Sequence, residues 1–221
     1  MYEMRFLTVL SFILAAAPAA APAAEPAAEP AVEAESRDSV SIGARVGVFL
    51  PQVSSELGTH VIATLEAGYA FAVWDGRLQL FGSIAYAQPE RTESRSDERL
   101  SGAEGGVYDF TTIQRELTFD LGLMLRFLPL DSRFNAYAAL APRLYLLETE
   151  TFGEAGGEKF GTNSEHSTKI GFLFGLGGEV VLGPGRVLLQ VSFAYSQLQH
   201  EFTGDVPTGA LAIAAGYRFM F

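Results

Sequence analysis

The chain has 221 residues, 48% of them hydrophobic, with 15 lysines and arginines against 26 aspartates and glutamates and a net charge of −11. That acidity argues against nucleic acid as a partner, and the absence of cysteine excludes a disulfide framework and thiolate chemistry. Beyond the N-terminus there is no apolar run of about 18 residues, so any membrane crossing must be made by strands.

Residues 1–23 read as an export signal. Arg5 supplies a positive start, residues 6–17 an apolar core, and Ala19-Ala20-Ala21 or Ala21-Pro22-Ala23 a small-residue cleavage site, with Met4 an alternative start. The Ala/Pro/Glu tract 24–38 is expected to be a disordered, extended arm without chemistry of its own.

From residue 39 to residue 221 the hydropathy alternates with a period of two, in segments of about ten residues bounded by turn residues. The first, 40–50, sets Val40, Ile42, Val46 and Val48 against Ser41, Gly43, Arg45 and Gly47, and Pro51 ends it. The second, 61–71, sets Leu65, Tyr69 and Phe71 against Thr64, Glu66 and Gly68 and runs into Asp75-Gly76, a strong hairpin signal. The third spans 78–87. In the fourth, 113–127, Leu117, Phe119, Leu121, Leu123 and Leu125 oppose Glu116, Thr118, Asp120, Gly122 and Arg126. A fifth (134–147) places Asn135, Tyr137 and Arg143 on the polar face, and a sixth (169–182) Lys169, Gly175 and Glu179. The seventh (186–198) and eighth (209–221) complete the set, and the last places Gly216 and Arg218 opposite Tyr217, Phe219 and Phe221.

Large apolar residues thus share one face, while charges and small residues share the other. A soluble core would not hold those charges; a narrow lumen inside a lipid-facing wall would. The fold expected is all-β, an eight-stranded antiparallel up-and-down transmembrane β-barrel. Connections alternate short and long, and the long ones, 88–112 and 148–167, read as hydrophilic exposed loops. Short turns on the periplasmic side and an even strand number put both termini in the periplasm. A soluble lipocalin-like barrel, the rival fold, would invert the two faces.

Arg45, Glu66, Glu116, Asp120, Arg126, Arg143, Lys169, Glu179 and Arg218 all fall on the inward face. In so narrow a barrel they are expected to pair across the lumen and fill it. A re-pairing of the same charges would instead open a narrow water or ion path. His60, His166 and His200 fall in or beside long loops, and Glu165-His166-Ser167, though of catalytic residue types, points successive side chains apart. No catalytic site, metal site or cofactor is expected. Arg91, Arg95 and Arg99 are candidates for contact with lipopolysaccharide phosphates, although interleaved acids favour a plain solvated loop.

The terminal Gly216-Tyr217-Arg218-Phe219-Met220-Phe221 resembles the C-terminal assembly signal of bacterial outer-membrane barrels, carried by Gly216, Tyr217, Phe219 and Phe221. Ala214 stands where that signal often has a polar residue. Over 39–221 the pattern resembles the small barrels of the outer-membrane protein A/X type of Gram-negative bacteria. The resemblance implies the cell outer membrane, insertion by the barrel-assembly machinery, and lipid and lipopolysaccharide as surroundings. It also implies a non-enzymatic role in envelope integrity or in surface interaction through extracellular loops. A porin-like small-solute channel and a lipid A-modifying barrel enzyme are the alternatives.

Overall fold

The computed structural model describes residues 38–51, 57–97, 106–197 and 207–221. The expected signal peptide, nearly all of the arm, Arg99 and His200 lie outside these residues. Among the described residues nine strands form: β1 (Ser39–Leu50), β2 (His60–Ala70), β3 (Leu78–Ala87), β4 (Glu90–Ser96), β5 (Val107–Arg126), β6 (Phe134–Ala155), β7 (Glu158–Leu182), β8 (Gly185–Gln197) and β9 (Pro207–Met220). Every neighbouring pair is antiparallel. β1 pairs with β2 on one side and with β9 on the other, and β3 pairs with β5, so the sheet closes into a ring.

The ring has eight staves, because β4 continues β3. Both pair with β5, β3 along Glu116–Leu125 and β4 along Val107–Ile113, and Gln88-Pro89 interrupts the stave between them. Proline cannot donate to the ladder, so the break falls where the sequence dictates.

Two segments expected as loops are strands. Much of 88–112 belongs to β4 and β5, and 148–167 is almost wholly the far ends of β6 and β7. These two strands run 22 and 25 residues, roughly twice what a tilted strand needs to cross a bilayer. They meet at Gly156-Gly157, with φ of 59° and 85°, the left-handed pair that a two-residue hairpin turn requires. The extensions carry polar residues on both faces, so no hydropathy period announces them. Main-chain pairing and cross-strand contacts hold them instead. Arg115 meets Glu148 at 3.2 Å, Ser94 donates to Asp109 at 2.7 Å, Arg95 lies over the Phe110 ring and Lys159 over Phe152. β7 pairs with β8 only from Phe172 onward, so residues 158–169 border no second strand among the described residues.

At the other end the connections are short. Trp74-Asp75-Gly76 all take positive φ, and the Arg77 amide donates to the Trp74 carbonyl, so the Asp-Gly pair turns the chain as its sequence implies.

The wall is apolar outside and polar inside. Ile170, Leu65, Leu121 and Leu140 are at least 60% exposed, whereas Arg126, Glu179 and Arg218 are at most 1% exposed. A leucine left in water forgoes about 1.5–3 kcal/mol, so a continuous belt of such side chains calls for an apolar surround. This is the transmembrane arrangement, and it excludes the lipocalin-like inversion.

Candidate functional site

The inward residues of β1, β2, β5, β7, β8 and β9 converge on a buried cluster near the short-turn end. Glu179 is its hub. It accepts from Arg126 Nε at 2.6 Å and from Arg218 Nη1 at 2.7 Å, and Arg186 Nη1 lies 3.3 Å away. Glu66 accepts from Arg218 Nε at 2.7 Å and lies 3.1 Å from Arg45 Nη2. Four arginines therefore surround two glutamates. Neutral oxygens take up part of the excess: Arg126 donates to Gln79 at 2.7 Å, Arg45 to Gln190, and Arg186 to the Leu130 and Ser132 carbonyls. Tyr137 lies under the Arg218 guanidinium and donates to Gln190 at 3.0 Å. Its ring occupies the space that a side chain on Gly177 would need, since a Cβ there would stand 2.4 Å from Tyr137 Cζ.

A second group sits further from the short turns. Arg143 reaches Asp120 with Nε and Nη2, at 2.7 and 2.9 Å, and Ser83 donates to the same carboxylate at 2.7 Å. The fork geometry suits a planar guanidinium on a carboxylate. Phe81, Met124, Tyr145, Leu147 and Leu173 pack in one apolar cluster along the lumen, and Phe49, Ile62, Ala85, Ala87, Ala210 and Ala212 in another. Between the two charged groups remains a cavity of ≈ 20 Å³, lined in part by Arg45, Arg143, Gln190 and Ser192.

Arg45, Glu66, Arg126, Glu179 and Arg218 are thus brought together, and Asp120 and Arg143 form a separate pair. Glu116 is buried but accepts from Gln114 at 2.7 Å and makes no ion pair among the described residues. Lys169 sits on the inward side of β7, half-buried and likewise outside the ion pairs. Arg186 is the member that sequence reasoning missed. Its parity with Gln190 pointed inward, but it stands beside the Pro184-Gly185 turn, where a charge reads as solvated.

On β7, Glu165 is half-buried and its neighbour His166 exposed on the other face, so the two do not form a catalytic pair; this run lies in a strand rather than in the loop expected. His60 opens β2. Arg91 pairs with Glu93, and Arg95 meets the same carboxylate at 3.2 Å, so the rim acids already engage these cations. At the C-terminus, Tyr217 donates to the Leu182 carbonyl at 2.6 Å and packs edge-on against Phe219, while Phe221 exchanges backbone bonds with Val40. Gly216 lets the chain pass Arg45, since a Cβ there would lie 2.6 Å from Arg45 Cγ.

No known protein family matches the chain, and no curated protein sequence does. Solved structures of small barrels do resemble it. Ail, the attachment invasion locus protein of Yersinia pestis, is 21% identical, covers 82% of this chain and 97% of its own, and gives a TM-score of 0.40. Neisserial surface protein A is 19% identical over 83% of this chain and 97% of its own, at 0.40. The outer membrane protein OprG of Pseudomonas aeruginosa is 10% identical over 85% and 97%, at 0.47.

Proposed function

We propose that this chain is a non-enzymatic integral outer-membrane barrel with a closed lumen, acting in envelope support or surface interaction through the sheet it raises above the outer rim. The observation that carries this reading is the plug. Arginines and carboxylates from opposite walls bond directly across the lumen, and the cavity left between them is no larger than a small ion or a water. A porin-like path would require breaking several buried charge-assisted bonds, each strong in a medium of low dielectric.

The apolar belt supports an outer-membrane location, with lipid and lipopolysaccharide around it. The short connections and both described ends of the ring lie on one side, which we assign to the periplasm, and the long hairpins on the outer side. Gly216, Tyr217, Phe219 and Phe221 on the closing strand are the residues we assign to the barrel-assembly machinery. The raised part of β4 to β7 offers its charged faces to partners.

The test is electrical. Refolded protein inserted into planar bilayers is expected to give no stepwise conductance at moderate voltage, whereas a reproducible open state would overturn the closed-lumen reading. An altered lipid A mass spectrum on overproduction would overturn the non-enzymatic one.

A further inference from the structure

We propose that the turn between β5 and β6, residues 127–133, is a strap folded across the short-turn mouth of the lumen, with Arg186 as its latch. This rests on the closed-lumen reading and adds to the ion-pair plug a second closure at the mouth itself. It starts from burial. Gln79, Arg126, Asn135 and Glu179 stand at or near the ends of their strands, within a few residues of the mouth, yet each is at most 1% exposed. Polar side chains at an open rim face water, so these are covered.

Two side chains that point into the lumen hold the turn by its main chain. Asn135, on β6, accepts from the Leu128 amide at 3.1 Å and donates to the Leu128 and Pro129 carbonyls at 2.9 and 3.0 Å. Arg186, on β8, donates to the Ser132 carbonyl at 3.3 Å and to the Leu130 carbonyl. A turn standing upright on its own staves would meet only β5, β6 and the strands beside them. β8 lies two staves from β6, and its inward-facing Arg186 is reached only by a chain that leans over the lumen. On the other side the Leu130 amide donates to the Asp75 carbonyl at 2.9 Å and the Leu130 side chain covers Gly76, so the strap runs from the β2–β3 turn to β8. The hold is light. Asp131 and Arg133 are exposed and Pro129 and Leu130 only half-buried, so little apolar burial ties the turn down, and it can lift without unfolding the wall. The latch is joined to the plug, because Arg186 Nη1 also lies 3.3 Å from Glu179. Lifting the strap admits water to Glu179 while Arg126 and Arg218 still hold it.

The chain has no cysteine, so one introduced thiol reports alone. Leu188 is 1% exposed, faces inward and pairs across the strands with Glu179, which places it behind the strap. Leu188→Cys, refolded in lipid nanodiscs that leave both faces open, is treated with a water-soluble sulfonated methanethiosulfonate. The thiol is expected to react slowly in this background and about tenfold faster or more when Arg186→Lys is added. Lysine keeps a positive charge beside Glu179 but loses the planar fork that grips two carbonyls at once. Heat-modifiable gel mobility checks that both variants are folded. A second measurement needs no substitution: NMR of the parent barrel in nanodiscs is expected to show nuclear Overhauser contacts from the Arg186 guanidinium to the Leu130 and Ser132 backbone, with the Leu130 amide protected from exchange. Fast labelling of Leu188→Cys alone would overturn the strap, as would equal rates with and without Arg186→Lys in folded protein, or the absence of those contacts from the parent. Stepwise conductance of the parent would instead overturn the closed-lumen reading, whatever the thiol shows.

Discussion

Arg218 and Glu179 meet at 2.7 Å in the middle of the lumen, both with no exposed surface, and the same guanidinium reaches Glu66 on the far wall at 2.7 Å. One side chain of the closing strand thereby ties β9 to β2 and β7. Removing it takes one partner from each carboxylate and leaves Glu66 to Arg45 and Glu179 to Arg126 and Arg186. Arg218→Leu is expected to cost about 3 kcal/mol or more, the loss of two buried hydrogen bonds between charged groups at about 1.5–3 kcal/mol each. Urea unfolding in vesicles, followed by the fluorescence of the single tryptophan, Trp74, measures it. A variant as stable as the parent would show that the cluster is decoration rather than a brace.

The pattern that made the barrel legible was the clash between hydropathy and charge. Leu117 to Leu125 alternating with Glu116, Asp120 and Arg126 leaves one physical solution, a wall with lipid outside and paired charges within. The raised strands were not legible, because residues 148–167 are polar on both faces and strand formation there rests on pairing with β5 and β6 rather than on burial. The inward set was legible by parity, but the partners were not. Which charges meet depends on their height in the barrel, set by the stagger between staves. Glu116 and Lys169 have the right parity and the wrong height, whereas Arg186 reaches the cluster from beside a turn.

Tyr137 and Gly177 form a cross-strand pair in which the ring covers the glycine. Gly177→Ala drives a methyl group into the Tyr137 ring, which is itself held by Gln190 and lies under Arg218. Overpacking at such a site costs about 1–3 kcal/mol. In a Tyr137→Leu background the same substitution should cost less, because the ring atoms it collides with are gone and only the Leu189 carbonyl, at 2.8 Å, remains in its way. Equal costs in the two backgrounds would show that the ring is free to move aside.

The hairpin of β6 and β7 turns at Gly156-Gly157, with nothing within 4 Å of where either Cβ would stand. An epitope inserted between them should be tolerated and should be labelled on intact cells. Labelling only after the outer membrane is permeabilised would reverse the assigned orientation and place the long hairpins in the periplasm.

At the opposite end Asp38, just before β1, accepts from the Tyr69 hydroxyl at 2.6 Å and from the Ala72 amide at 2.7 Å. These bonds favour the charged form, the tyrosine contributing most, and hold the carboxyl below its ordinary 3.8. A folded-state value below the unfolded one means that the clasp is fully present above the ordinary carboxylate range and is lost as pH falls through the lowered folded value. The Ala72 amide shift, followed by NMR against pH, should therefore titrate with a midpoint below 3.8, and Tyr69→Phe should bring that midpoint back toward the ordinary value. Because Asp38 is solvent-exposed, little global stability is expected to follow; the readout is local. A midpoint at or above 3.8 in the parent protein would mean that the clasp does not form in solution.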